Sequence, residues 1–222
     1  MSYSIAIDGP AGAGKSTIAK AVAKRLDCIY VDTGAMYRAM ALYFLRKGYD
    51  PAEEDKITAS CGDIDVAIKY ENGEQQVILN GENVTSMLRN EEVGKMASAS
   101  SVYPAVRLKL VELQRELART NRVVMDGRDI GTYVLPDADV KIYLTASVEK
   151  RTERRFKELK EKDGTVPDFE TIKKDIEERD YRDSHREFAP LRRAEDAILV
   201  DTSDMTVEES ADAVIGYCGK KA

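Results

Sequence analysis

The amino-acid sequence predicts an α/β fold: a five-stranded, doubly wound parallel sheet with helices on both faces, interrupted by two inserts. Three observations carry that reading. Residues 3–26 run as an apolar stretch, a glycine-rich turn and a helical stripe, in that order. Short apolar runs then recur at residues 28–32, 122–126, 140–144 and 197–201, without the alternation of a half-exposed strand. Between the first two of these runs the period changes to two, over residues 63–81, which marks a small antiparallel unit spliced into the alternating pattern.

The first strand is expected at residues 3–8, where Ile5, Ala6 and Ile7 are consecutive. The turn that follows, Gly9-Pro10-Ala11-Gly12-Ala13-Gly14-Lys15-Ser16-Thr17, fills every fixed position of the pattern G-x-x-x-x-G-K-[ST]. From Lys15 onward Ile18, Val22 and Leu26 form one helical stripe with Ala19 and Ala23 beside it. A strand, a glycine turn and a helix N-terminus in this order aim several backbone N–H groups at one point, and the helix dipole adds positive potential there. The expected ligand is a polyphosphate. Glycines are required because a Cβ would block the close approach and the unusual φ angles. Lys15 would reach the β- and γ-phosphates and the Ser16 hydroxyl would help hold Mg²⁺, so the chain is expected to bind ATP with Mg²⁺.

After the strand at 28–32, Thr33 is expected to cap a helix over residues 34–47, stopped by Gly48. Residues 50–62 are polar and suit another short helix. In the antiparallel unit Val66, Ile68 and Tyr70 alternate, Asn72-Gly73 forms a hairpin turn, and Val77 to Leu79 lead to a second Asn-Gly at Asn80-Gly81. Tyr103-Pro104 opens a helix whose stripe is Val106, Leu110, Leu113 and Leu117. Residues 147–193 form a long polar helical region interrupted at Asp163-Gly164 and Pro167, and Thr206-x-x-Glu209 is a capping box for a last helix with Val207, Ala211, Val214 and Ile215 inward. The expected division is core at 1–62, insert at 63–95, core at 96–146, helical insert at 147–193 and core at 194–222.

Composition narrows the function. The 222 residues are 33% charged and 43% hydrophobic, as in a soluble globular enzyme. No apolar run approaches the roughly 20 residues of a membrane span, and no basic-then-apolar segment precedes the glycine loop, so the cytoplasm is expected and a membrane partner is not. Cys28, Cys61 and Cys218 are widely separated, which suits a reducing compartment and argues against zinc. A net charge of −6 disfavours binding to nucleic acid polymers. No segment of N-K-x-D type is present, which disfavours a GTPase switch.

In doubly wound sheets, ligands sit beyond the strand C-termini. Gly9, Asp32, Thr33, Asp126 and Arg128 all fall there. The stretches Thr33-Gly34-Ala35-Met36-Tyr37-Arg38 and Asp126-Gly127-Arg128-Asp129 each set an arginine at that edge, suited to a second, separate phosphate. Spacing of three to four residues aligns Arg179, Arg182 and Arg186 on one helical face, where Asp180 and Asp183 can brace the guanidiniums. His185 is the only histidine and is expected on a helix face rather than as a base.

The loop IDGPAGAGKST, the stretches VDTGAMYR and MDGRDIGT, and the run ERDYRDSHREFAPL together resemble the bacterial-type cytidylate kinases, nucleoside monophosphate kinases with a phosphate loop. The resemblance covers nearly the whole chain, including the antiparallel insert. It implies phosphoryl transfer from ATP to CMP or dCMP with Mg²⁺, on a core flanked by a monophosphate-binding insert and a helical lid. It implies that Arg38 and Arg128 hold the CMP phosphate, with Thr33, Tyr37 and Asp126 on the substrate side. Ser98, Arg107 and Asp129 would face the cytosine, with Arg186 nearby. Arg179 and Asp183 would reach the ribose or the transferring phosphoryl group, residues 9–17 and Arg154 would hold ATP, and Lys15, Arg128, Arg179 and Arg186 would be catalytic. A small-metabolite kinase of shikimate or adenylylsulfate type and a nucleotide-responsive module without turnover remain as alternatives, and a monomer is expected.

Overall fold

The computed structural model describes residues 3–161 and 166–218. Strands β1 (Tyr3–Asp8) and β2 (Ile29–Asp32) precede an antiparallel trio, β3 (Val66–Glu71), β4 (Glu74–Leu79) and β5 (Glu82–Asn83). Then β6 (Arg122–Gly127), β7 (Val140–Thr145) and β8 (Ile198–Asp201) complete a parallel sheet in the order β2-β6-β1-β7-β8. The helices are α1 (Lys15–Arg25), α2 (Thr33–Arg46), α3 (Glu54–Ser60), α4 (Glu91–Ser100), α5 (Pro104–Thr120), α6 (Val148–Glu161), α7 (Phe169–His185) and α8 (Val207–Cys218).

Central strand β1 is apolar on both sides because both sides are covered. Ile5 and Ile7 pack with Ile18 and Val22 of α1 and Val214 of α8. Ala6 points the other way, into a cluster with Met36 and Met40 of α2 and Leu110 of α5. Ile5 and Ile7 have no exposed surface, and burying each contributes about 1.5–3 kcal/mol. Among the described residues no helix is long and apolar enough to cross a membrane.

The Asn72-Gly73 hairpin forms as expected: φ is 53° at Asn72 and 79° at Gly73, the left-handed pair a two-residue turn requires. The trio docks on β2, an edge strand of the main sheet, through the side chains of Gln75 and Tyr70. The Gln75 carboxamide accepts from the Asp32 N–H at 2.9 Å and donates to the Asp32 carbonyl at 3.2 Å, much as a neighbouring strand would. The Tyr70 hydroxyl adds a bond to the Tyr30 carbonyl at 3.1 Å.

The cap of α2 is not the one expected. Asp32, not Thr33, accepts from the Ala35 N–H, at 2.9 Å, and Thr33 is the first helical residue. Both are good cap residues, but the Thr33 hydroxyl is engaged elsewhere, donating to the Asp126 carbonyl at 2.6 Å. Helix α4 was not anticipated. Asn90 caps it by accepting from the Glu92 N–H at 2.8 Å, and Val93, Met96 and Ala97 are its buried stripe. It runs through residue 95, where the insert was expected to end. Pro167 lies between α6 and α7, as its restricted φ demands, while Asp163-Gly164 falls outside the described residues.

Candidate active site

The glycine loop joins β1 to α1 under tight steric limits. A Cβ on Gly9, whose φ is 150°, would lie 2.0 Å from the Leu144 carbonyl oxygen. Gly12 and Gly14 take φ of 74° and 84°, and Gly14 is the N-terminal boundary of α1. Pro10, Ala11 and Ala13 complete the turn, and Thr17 is exposed one residue beyond Ser16. The buried Lys15 ammonium folds back to donate to the Pro10 carbonyl at 2.7 Å. Burial, then the charge of Arg128, pulls its pKa well below the usual lysine value.

Beside the loop, Ser16 Oγ donates to Asp126 Oδ2 and the Tyr30 hydroxyl to Asp126 Oδ1, both at 2.8 Å. Burial and the neighbouring charge of Asp32 raise the Asp126 pKa. Among the described residues no group of three or more His, Cys, Asp or Glu side chains is assembled around one point. Arg154 reaches over from α6 and bonds Thr202 Oγ1 at 3.2 Å, and that hydroxyl lies 3.3 Å from the Ala13 carbonyl, which puts Arg154 beside the loop.

Strand β6 ends at Gly127, and Arg128 and Asp129 follow. Arg128 Nε donates to Asp183 Oδ2 at 2.7 Å and its Nη1 to the Gly127 carbonyl at 3.2 Å. Burial alone would raise Asp183, but Arg128 and Arg179 outweigh it and hold the pKa below the usual value. Arg179 has a buried Nε without a hydrogen-bond partner. Its own pKa is lowered to about 10, first by burial, then by Arg128, with Arg38 adding to the same effect. Arg38 lies against the start of α2, where a Cβ on Gly34 would be 3.4 Å from its Nη1.

A second cluster adjoins the first. Arg107 Nη2 pairs with Asp129 Oδ2 at 2.5 Å, both side chains almost fully buried, and Arg107 lies 5.3 Å from the Tyr37 ring centroid. Burial pushes the Tyr37 hydroxyl up to about 12. Arg186 Nη2 lies 3.5 Å from Asp129 Oδ1, and its Nε donates to the Ala189 carbonyl at 2.8 Å. Ser98 is half-buried on α4, with Oγ 3.5 Å from Arg182 Nη2.

The arginine face read from α7 needs correction. The helix ends at His185, and Arg186 is its C-terminal cap with ψ of 144°, so its side chain leaves the helical spacing. Arg182 is exposed, whereas Arg179 and Arg186 turn inward. The carboxylates also reach beyond the helix: Asp183 pairs with Arg128 at 2.7 Å while keeping Arg186 at 3.8 Å as expected, and Asp180 binds Arg151. His185 is exposed and stacks on Tyr181 at 4.0 Å, on a helix face as expected.

A scan against protein-family models matches cytidylate kinase over residues 5–220. The chain belongs to the cytidylate kinase family. It is 51% identical over 211 residues to the cytidylate kinase of Caldicellulosiruptor saccharolyticus, covering 95% of this chain and 93% of that one. It is 50% identical over 222 residues to that of Streptococcus agalactiae serotype V, covering 100% and 96%. Among solved structures, an uncharacterised protein from Eubacterium ventriosum superimposes with a TM-score of 0.53 at 14% identity, covering 98% of each chain. Shikimate kinase from Bacteroides thetaiotaomicron gives 0.50 at 12%, covering 99% of each; these likenesses show the fold.

Four contributors to this cytidylate kinase family site were not singled out from sequence. Asp8, buried at the end of β1, accepts from the N–H groups of Ile130 and Gly131 at 2.8 and 2.7 Å and so anchors the turn after Asp129. Arg151, Tyr30 and Thr202 are the others. Only Asp8 carried a local signal: a carboxylate closing an apolar strand that enters a glycine turn.

Proposed function

We propose that this protein is a cytidylate kinase, transferring the γ-phosphoryl group of ATP to CMP or dCMP to give ADP and CDP or dCDP. One observation carries the reading. The phosphate loop, with its buried Lys15, lies beside Arg128, which pairs with Asp183 at 2.7 Å, and Arg179, whose buried Nε has no hydrogen-bond partner, in a chain about 50% identical to cytidylate kinases over nearly its whole length. Guanidinium and ammonium groups crowded in a dry cleft are stabilised by anions, and two nucleotide phosphates supply them.

In this reading the loop at residues 9–17 binds the ATP phosphates through main-chain N–H groups other than those of Pro10, which has none, and Ala11, which Asp180 takes, with Arg154 beside them. Arg38 and Arg128 hold the CMP phosphate, Thr33 and Tyr37 shape its entry, and Arg179 and Lys15 stabilise charge on the transferring group. The acceptor is a phosphate monoester whose second pKa is near 6, so at neutral pH it attacks without a strong general base. Residues need only hold donor and acceptor in line and exclude water. Cytosine offers an amine donor beside two acceptors, and Asp129, Arg107 and Ser98 form the matching set, with Arg186 and Asp183 completing the nucleoside contacts. Uracil has a carbonyl in place of the amine and would leave the carboxylate unmatched.

The Ser16 hydroxyl and the Asp126 carboxylate are hard oxygen donors next to the loop, and they fit a small divalent cation held jointly with substrate phosphates. Mg²⁺ bound there would neutralise the developing charge on the phosphoryl oxygens. The insert at 63–95 and the helices at 147–193 close over the two nucleotides. We take the monomer as the working unit and the cytoplasm as its location. The test is a coupled ADP-release assay with CMP, dCMP, UMP and AMP. CMP and dCMP are expected well above the others; equal kcat/KM across the panel would overturn the substrate assignment.

A further inference from the structure

Asp180 sits on α7, 169 residues beyond the phosphate loop in sequence, yet its Oδ1 accepts the Ala11 N–H at 3.0 Å. Its Oδ2 pairs with the guanidinium of Arg151, a buried residue of α6. Arg151 Nη1 also donates to the Ala11 carbonyl at 2.9 Å, and its Nε to the Ala146 carbonyl at 3.0 Å. Both main-chain polar groups of Ala11 are thus held by side chains from α6 and α7. Gly12 packs on the same arginine, since a Cβ there would lie 3.2 Å from Arg151 Cβ.

A carboxylate beside a polyphosphate site is unfavourable unless its charge is compensated in place. Arg151 supplies that compensation at close range. Asp180 also directly follows Arg179 and precedes Asp183 by three residues. A helix turns about 100° and rises about 1.5 Å per residue, so pinning Asp180 to the loop fixes both the rotation and the advance of Arg179 and Asp183. We infer that Asp180, with Arg151 as its strut, is a positioning residue that sets the register between the phosphate loop and the helix carrying Arg179 and Asp183. This rests on the cytidylate kinase reading above.

The test compares wild type with Asp180→Asn, Arg151→Gln and the double variant, by steady-state kinetics and thermal melting. Asp175→Asn, on the exposed side of the same helix, is the control. Asparagine keeps an oxygen for the Ala11 N–H but loses the charge pairing. A small misplacement of reacting groups costs up to about 10²-fold in rate. Asp180→Asn is therefore expected to lose kcat on the order of 10- to 100-fold while KM for CMP stays within about threefold. Asp175→Asn matches wild type, and the double variant falls no further than the worse single one, because the two residues act as a unit. A folded Asp180→Asn enzyme with wild-type kcat, or losses that simply multiply in the double variant, would overturn the inference. If Asp180→Asn does not fold, Arg151→Lys keeps the charge without the forked geometry, and wild-type kcat in that protein would overturn it equally. A wild-type protein that makes no CDP would instead remove the functional reading itself.

Discussion

Replacing Arg128 with methionine separates what the Arg128–Asp183 pair does for folding from what it does for CMP. The pair is 2.7 Å long, with side chains 18% and 9% exposed. Removing one partner of a buried ion pair costs about 3–5 kcal/mol, because the other charge is left uncompensated. Asp183 would keep Arg186 at 3.8 Å and the charge of Arg179, so the loss should fall at the low end, about 3 kcal/mol. In a chain of this size that corresponds to about 6–12 °C in Tm. The kinetic loss has a different origin. Charge-assisted hydrogen bonds to the CMP phosphate contribute about 1.5–3 kcal/mol, so kcat/KM for CMP should fall about 10- to 100-fold. Adding Asp183→Asn removes the carboxylate that has lost its closest partner, so the double variant should regain part of the lost Tm and none of the activity. Thermal melts and the coupled ADP-release assay on the same preparations decide it. A double variant that recovers both would refute the reasoning, since the pair would then be structural and the phosphate held elsewhere.

Two further predictions follow from buried carboxylates. Burial raises Asp8 from the ordinary 3.8 to about 6, against the opposing effect of its two N–H donors. Between about pH 4 and 6 the folded protein holds a proton that the unfolded chain has released, so the contribution of Asp8 to stability is full below that window and lost as pH rises through it, by on the order of 3 kcal/mol. Urea unfolding should show the stability difference between wild type and Asp8→Asn shrinking in that direction from pH 4 to 7; a constant difference would contradict it. Asp129→Asn replaces the acceptor proposed to face the cytosine amine with a group that also donates, and the CMP-over-UMP ratio of kcat/KM should drop about 10²-fold. An unchanged ratio would remove Asp129 from base selection.

The sequence was most informative where local chemistry leaves one solution. The loop at 9–17 and the Asn72-Gly73 turn need backbone angles that few residues adopt, and both formed where the pattern put them. The parallel strands were legible because burial on two faces permits only apolar runs. Helix caps were less so: Asp32 and Thr33 are equally good by type, and the choice depended on Asp126, 93 residues away, taking the Thr33 hydroxyl. Helix α4 was hidden by Gly94 and by a stripe of only three apolar residues, although Asn90 before Glu91-Glu92 was a usable start signal. The end of α7 carried no glycine, so Arg186 read as helical until Ala189, at φ 48°, showed the chain turning back to meet its guanidinium. Above all, the contacts of Asp180 with Ala11 and of Gln75 with Asp32 join segments whose proximity only the folded sheet decides.

The central claim is that amides and Lys15 at the β1–α1 junction present the ATP phosphates to a CMP held by arginines across the cleft. It is tested most directly by following the label from γ-labelled ATP in the presence of CMP, with wild type and Lys15→Met side by side. The account predicts labelled CDP from wild type and a loss of at least about 10²–10³-fold in Lys15→Met. Label released only as free phosphate, or Lys15→Met working at the wild-type rate, would contradict it.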